Sequence, residues 1–485
     1  MRKIILVTLK STLLMKKIIT LLILMCSLGV KAQLIGFEAK VNEYGQLESV
    51  LGENWDKIDS LSVVGPINAS DFKTMWKCAF EGTLNVLNLE KAEVENYKIP
   101  DFALYDSNKQ YWDVDIPIYL DIHKIILPDN IIEIGLGSFQ RMKLEKINLP
   151  KSLRKLNIGS FANCHWLNVD PLVIPDGITE IPSQCFVNCR NFKKLILPSS
   201  LRVIKEVAFY NTRMEDVEFA EGLESIENDA FYGSGELKKA ILPNSCQMLG
   251  ESVFGLCDSL KELRIPEGIK SIPTHFAAYS IKLEQVDIPE SVEEIGYGAF
   301  QMCNSLKNIK LPNELETIQG YAFDGCDLDS IVFPASLTFI GYSSCSGWHN
   351  VKKIYSLSPT PPYCDGHAFD NCNDATIYVP QGASNLYSNA QDWSYFTKFV
   401  ETSQLPESGI NDMRYASKSD AKVYWSNGLL CIEDIQAADL VKPYSVYSID
   451  GQMVDFGKVE TSQIVISVPQ GIYIVIVGDS VYKVG

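Results

Sequence analysis

Residues Leu260–Pro273 read LKELRIPEGIKSIP, and Val292–Cys326 read VEEIGYGAFQMCNSLKNIKLPNELETIQGYAFDGC. In the first stretch apolar side chains stand at Leu260, Leu263 and Ile265, which lie six, three and one residues before Pro266. The second stretch adds Val292 and Ile295, three and six residues after Pro289, and then Phe300. Alternation at −3 and −1 is that of a strand with one buried face, and the proline ends the strand because it has no N–H to give to a ladder. A second short strand is expected around +3 to +6. The small residues ahead of the phenylalanine read as a tight corner.

The same unit recurs along the chain. Its prolines are Pro128, Pro150, Pro175, Pro198, Pro243, Pro266, Pro289, Pro312, Pro334 and Pro380, with Ala220 and Leu357 filling two gaps. This gives twelve units spaced by 22 to 25 residues. An aromatic follows near +11 at Phe139, Phe161, Phe186, Phe209, Phe231, Phe254, Phe276, Phe300, Phe323 and Phe369, and Cys345 stands in its place after Pro334. A sustained period of this length marks a solenoid, in which no unit buries its own apolar side. Stacked at ~4.8 Å per layer, the phenylalanines predict an aromatic spine inside the coil.

These motifs, with LRVIKEVAF at Leu201–Phe209, resemble the BspA-like leucine-rich-repeat family of bacterial surface proteins. The resemblance covers about residues 122–400. LSVVGPINASDFKTMW (Leu61–Trp76) and LNVLNLEKAEV (Leu84–Val94) are similar to the family's amino-terminal segment, with a short helix near Ser70–Phe80, so 33–121 reads as a capping region. IYVPQGASNLYSNAQDWSYFTKFVE (Ile377–Glu401) resembles the closing element. The resemblance implies a mainly β fold, a right-handed leucine-rich-repeat solenoid, surface display and, in some members, adhesion to host proteins or other bacteria. It brings no catalytic residue.

Both ends of the chain carry further signals. Residues 1–32 hold six basic residues (Arg2, Lys3, Lys10, Lys16, Lys17 and Lys31) and no acid. An apolar run from Ile18 to Met25 then leads to small residues before Ala32–Gln33, the pattern of a cleaved export signal; Met15 is an alternative start. The run is shorter than the ~20 residues a membrane span needs. After a polar linker at 401–419, the tail alternates apolar and polar residues over Lys422–Ile432, Tyr444–Ile449, Gln463–Val468 and Ile472–Val477. Asp450-Gly451 and Gln470-Gly471 supply turns, so 420–485 reads as a small β-sandwich. VYSIDGQMVDFGKV and VPQGIYIVIV resemble the carboxy-terminal sorting domains of Gram-negative type-IX secretion, although Tyr482–Gly485 lacks their fuller basic terminus.

Composition narrows the function. The 485 residues are 46% hydrophobic and 21% charged, which excludes a disordered chain. The net charge of −17, or −23 without the leader, argues against a nucleic-acid partner. There are 13 cysteines and five histidines. Cys164, Cys189, Cys257, Cys303, Cys326 and Cys372 lie three residues after the repeat phenylalanine, where other units put Met142, Thr212, Ser234 or Tyr279. Two readings stand: a packing slot for a small hydrophobe, or disulfides between neighbours at Cys164/Cys189 or Cys303/Cys326. Cys185/Cys189 and Cys364, His367 and Cys372 come nearest to metal spacing, without the paired C-x-x-C of a structural zinc. No catalytic or nucleotide-binding motif is present. The reading is therefore non-enzymatic, with no metal and no cofactor.

What remains is surface. If −3 and −1 point inward, −4 and −2 face solvent. The −4 column contains Lys124, Lys146, Lys194, Lys239 and Lys353; the −2 column contains Tyr355 and Tyr378 beside Ile126, Val173, Ile196, Ile241 and Val332. These lysines and tyrosines are the candidate ligand-binding residues. The expected ligand is a host matrix protein, another bacterial surface protein or a glycan. A structural or glycan-capturing module of an envelope assembly is the alternative, and ordinary strand preference of Ile and Val explains the apolar −2 residues equally well.

Overall fold

The computed structural model describes residues 35–105, 119–372 and 374–403, and the strands and their immediate flanks between 422 and 484. The expected export signal in 1–32 lies outside the described residues. The chain divides into two compact units, 1–409 and 410–485.

The first unit is a β-solenoid of about 15 turns. Most turns contribute a strand just before the proline, such as Glu262–Arg264, and a two-residue strand such as Glu294–Ile295 five to six residues after it; the turn of Pro312 has only the second. Equivalent strands pair in parallel, level on level, as in Lys239–Ile241 with Glu262–Arg264 and then Gln285–Asp287. Burial follows the sequence pattern: Leu260, Leu263, Val292, Ile295 and Phe300 are fully buried. From Pro128 to Pro334 the residues at +9 and +13 from the proline position sit at positive φ and turn the chain around its corner; Gly298 (φ 58°) and Met302 (φ 58°) are one such pair.

The spine is present. Ring centroids from Phe139 through Phe161, Phe186, Phe209, Phe231 and Phe254 to Phe276 are spaced by 5.2–5.7 Å. Phe300 and Phe323 continue it at 5.6 Å. At the Pro334 level Cys345 and Trp348 exchange roles. The fully buried Trp348 supplies the ring from the slot that cysteine fills elsewhere.

The stack runs past the proline-marked units at both ends. Ile35–Lys40, Ile58–Ile67 and Val86–Val94 join the first column in parallel, and Val86 pairs with Lys124. These longer strands are not stopped by a proline on the 23-residue period, so the period alone does not reveal them. Between them lies the helix Ala69–Phe80, close to the expected 70–80. Its fully buried Asp71 carboxylate accepts N–H bonds from Gly45, Leu47 and Asn68 at 2.8–2.9 Å, tying the helix start to the first turn. At the other end Phe399–Glu401 pairs with Ile377–Val379, and the buried Trp393 ring packs against Phe333, Phe369 and Tyr387. An end covered in this way leaves no apolar layer open.

One level is different. Between the units of Pro150 and Pro175 neither column carries a strand pairing among the described residues: Lys146–Ile147 does not pair with Leu172–Val173, nor Lys155–Leu156 with Glu180–Ile181. Every other level keeps at least one column. The spacing here is 25 residues, the longest in the array, and the extra chain carries the strands apart. The corner still holds, with Phe161 N–H donating to the Cys185 carbonyl at 3.0 Å and the Phe161 and Phe186 rings 5.2 Å apart.

The second unit has two antiparallel sheets. One contains Lys422–Ser426, Leu429–Glu433 and Ile464–Ile466; the other contains Met453–Lys458, Pro443–Ser448, Tyr473–Val477 and Ser480–Val484. Leu430, Ile432, Val446, Ile466 and Val475 are buried. Alternation in the sequence missed Met453–Lys458, whose Asp455 and Gly457 interrupt the pattern.

Candidate functional site

The outward columns of the first sheet form two separate groups. Lys124 and Lys146 lie opposite each other in register and are exposed, with no carboxylate at ion-pair distance among the described residues. They border an open concavity of about 340 Å³ that also includes Ile126, Asn148, Asn168 and Val169. It sits where the strand pairing lapses. Asn148 faces the preceding turn, its amide bridging the Leu127 N–H (2.7 Å) and carbonyl (3.0 Å).

The middle of the column is neutralised. Lys194 pairs with Asp216 at 3.5 Å and with Glu218, and Lys239 pairs with Glu262 at 2.9 Å. Nearby, Lys193 and Lys238 both donate to Glu215 and hold its carboxyl down at about 2. Asp216 and Glu262 stand opposite Lys194 and Lys239 one unit on, so the pairing is legible only once parallel register is known.

At the far end the Tyr355 and Tyr378 rings stack 4.6 Å apart with 22° between planes. Their row continues from Val332 to Tyr355, Tyr378 and Val400. Val332 was expected on the surface, yet it is 8% exposed; Val400 is 40% exposed. Lys353 beside the pair is exposed and has no ionic partner among the described residues.

The cysteine column has a chemical role that packing alone does not capture. Cys164 Sγ donates to the Phe139 carbonyl (3.0 Å), Cys189 to Phe161 (3.2 Å), Cys257 to Phe231 (3.5 Å) and Cys326 to Phe300 (3.2 Å). Ser234 Oγ serves Phe209, Ser280 Oγ serves Phe254, and Trp348 Nε1 serves Phe323. Counted from the proline, all occupy +14. At the Pro266 level the residue there is Ser280, whereas the expected Tyr279 is 43% exposed, because Phe276 comes one position early. All twelve described cysteines are buried free thiols, so neither Cys164/Cys189 nor Cys303/Cys326 is bridged. Desolvation pushes the thiols of Cys164 and Cys303 up to about 12, far from a nucleophile's range.

The spacing at Cys364, His367 and Cys372 does not converge. Cys372 Sγ turns inward to the Cys345 carbonyl, whereas the exposed His367 pairs with Asp370 at 3.0 Å. Among the described residues no cluster of three metal-ligating side chains forms, and no helix is long and apolar enough to cross a membrane.

One surface feature escaped the sequence reading. His275, Tyr297, Tyr321, Tyr342 and His367 form a ladder on the corner, one ring per level, with centroids 5.4–5.6 Å apart. They occupy +8, +9 or +10, so no single column collects them.

The BspA type leucine rich repeat model matches residues 118–170, 166–282 and 274–397, together more than half of the chain. A leucine-rich repeat protein from Bacteroides ovatus shares the fold at a TM-score of 0.51 and 22% identity, over 71% of this chain and 88% of that one. The pneumococcal vaccine antigen PcpA (18% identity, TM-score 0.41, 71% and 79% covered) and a leucine rich cell surface protein from Faecalibacterium prausnitzii (19%, 0.36, 68% and 86%) are also similar. No curated protein matches the chain. Proline-ended strands, a phenylalanine spine and a matching repeat model converge: the chain belongs to the BspA-type leucine-rich-repeat family.

Proposed function

We propose that this chain is an exported, non-enzymatic binding protein of the cell surface or its surroundings, and that its repeat-built sheet meets a protein ligand. The observation that carries the reading is the stacked Tyr355–Tyr378 pair, held on the outward face beside the exposed Lys353. Large, rigid aromatic side chains beside a charge are the composition of interface hot spots, and stacking fixes them before binding. Lys124 and Lys146 form a second contact at the other end, adding electrostatic steering toward an acidic partner. The leader in 1–32 serves export, and the tail, 420–485, serves sorting or attachment.

The test is binding of the full chain to immobilised extracellular-matrix proteins. Replacing Tyr355 and Tyr378 by Ser together with Lys353→Ser is expected to weaken binding by at least about tenfold. Affinity unchanged in that variant refutes the assignment of the face. Complete resistance of the protein to protease added to intact cells refutes the location.

A further inference from the structure

We infer that the open edge of the first strand, Ile35–Lys40, is a self-docking surface, which pairs antiparallel with the same strand of a second copy of this chain. The inference is independent of the ligand faces proposed above, because it uses the edge of the sheet and not its face.

The edge follows from the register. Ile35–Lys40 pairs with Ile58–Ile67 on one side only and is the outermost strand of its sheet. The Val41 N–H donates to the Val64 carbonyl at 2.8 Å, which turns the main chain of the odd-numbered residues toward the coil. Successive residues of a strand direct their N–H and C=O to opposite sides. Those of Gly36, Glu38 and Lys40 therefore face away from the coil, and all three residues are exposed, with no main-chain partner on that side among the described residues. The opposite end of the coil differs. Its last strand, Phe399–Glu401, has three residues, and the Glu401 carboxylate accepts from the N–H and hydroxyl of Ser384 at 3.1 and 2.6 Å. Such a short edge with an occupied side chain is blunted. The first strand has six residues, no proline, no run of like charge and a regular register from Gly36 to Lys40, so it stays open to pairing.

Charge selects the occupant and its register. Glu38 and Lys40 stand two residues apart on the outward side of the strand, with side chains 53% and 75% exposed. Antiparallel pairing of the strand with itself about Ala39 sets Glu38 opposite the second copy's Lys40, and Lys40 opposite its Glu38. Each of these facing pairs exchanges main-chain hydrogen bonds and joins opposite charges. The inward side is complementary too, with the partly buried Phe37 opposite the second copy's Val41. Centred on Glu38, the same pairing opposes like charges and is disfavoured. A two-fold contact closes on itself, so association stops at a dimer. The five-stranded sheet that begins with Ile35–Lys40 then runs on across both copies. Such a dimer carries each binding face twice and gains avidity on a surface rich in ligand.

The experiment is sedimentation equilibrium over a concentration series, on the chain without residues 1–32, which keeps every described residue. The unaltered chain should reach the mass of a dimer. Glu38→Lys and Lys40→Glu, each alone, set like charges face to face and should weaken association by about tenfold or more. An equimolar mixture of the two variants restores opposite charges in every facing pair and should associate as the unaltered chain does. That rescue separates a lost contact from a misfolded strand. A monomer at every concentration, association that survives in both single variants, or a mixture that fails to associate overturns the inference.

Discussion

Trp348 Nε1 donates to the Phe323 carbonyl at 2.9 Å, so an indole performs at this level the task that the Cys326 thiol performs one turn earlier for the Phe300 carbonyl. The ring and the donor have moved into one side chain, and Cys345 has shrunk to make room. Cys345→Phe alone overpacks the site and should cost about 1–3 kcal/mol. Trp348→Cys alone empties it and should cost about 3–5 kcal/mol. The two together restore the pattern of the other levels and should cost far less than their sum. Additive losses in urea unfolding would show that the two residues do not share one volume.

The donor column makes a prediction that separates hydrogen bonding from packing. At Cys326, valine fills the volume without a donor, whereas serine keeps the donor in less volume. Serine should be the better replacement by about 1 kcal/mol, because valine leaves the Phe300 carbonyl with only the Cys303 N–H at 3.2 Å. A valine variant as stable as the serine variant would reduce the column to packing.

Buried thiols also set an alkaline limit. In the folded chain Cys164, Cys303 and Cys372 are held up at about 12 by desolvation, against an ordinary value near 9. Below that ordinary value folded and unfolded chains bind the same protons, and stability is intact. Above it the unfolded chain releases protons that the folded chain keeps, so stability falls as pH rises. Each such thiol removes about 1.4 kcal/mol per pH unit within that window. The melting temperature should drop steeply above pH 9, and less steeply with Cys164→Ser and Cys303→Ser. Equal slopes for both proteins would contradict this.

The closing element should be as important as any interior turn. Trp393 is fully buried, its Nε1 donates to the Pro362 carbonyl at 3.0 Å, and its ring lies 4.8 Å from that of Phe369. Trp393→Ala should cost about 3–5 kcal/mol in denaturant unfolding and expose the last apolar layer to hydrophobic dye. A change below about 1 kcal/mol would mean that the end is covered by something else.

Why some of this was readable and some not comes down to how strictly a contact repeats. Every level presents the same environment to the residue before the proline and to the phenylalanine, so Leu263 or Phe254 is written into the sequence again and again. Early levels such as Ile58–Ile67 meet the same sheet without that proline, and only pairing reveals them. The surface obeys looser rules. Lys239 looks available until register sets Glu262 against it, and Tyr321 looks isolated until one residue of slack in the corner is allowed for. The Tyr355–Tyr378 pair was legible because a strand's period of two leaves no such slack.

The lapse in strand pairing after Pro150 has a mechanical meaning. Under load along its axis, a stacked coil yields where the fewest cross-layer bonds must break together. Here that place is fixed by a short insertion, with Lys124 and Lys146 just to one side of it and the Tyr355–Tyr378 pair far to the other. A tether anchored at its carboxy-terminal end and gripped at the basic pair would first lengthen at this seam, sparing the aromatic contact from the pull.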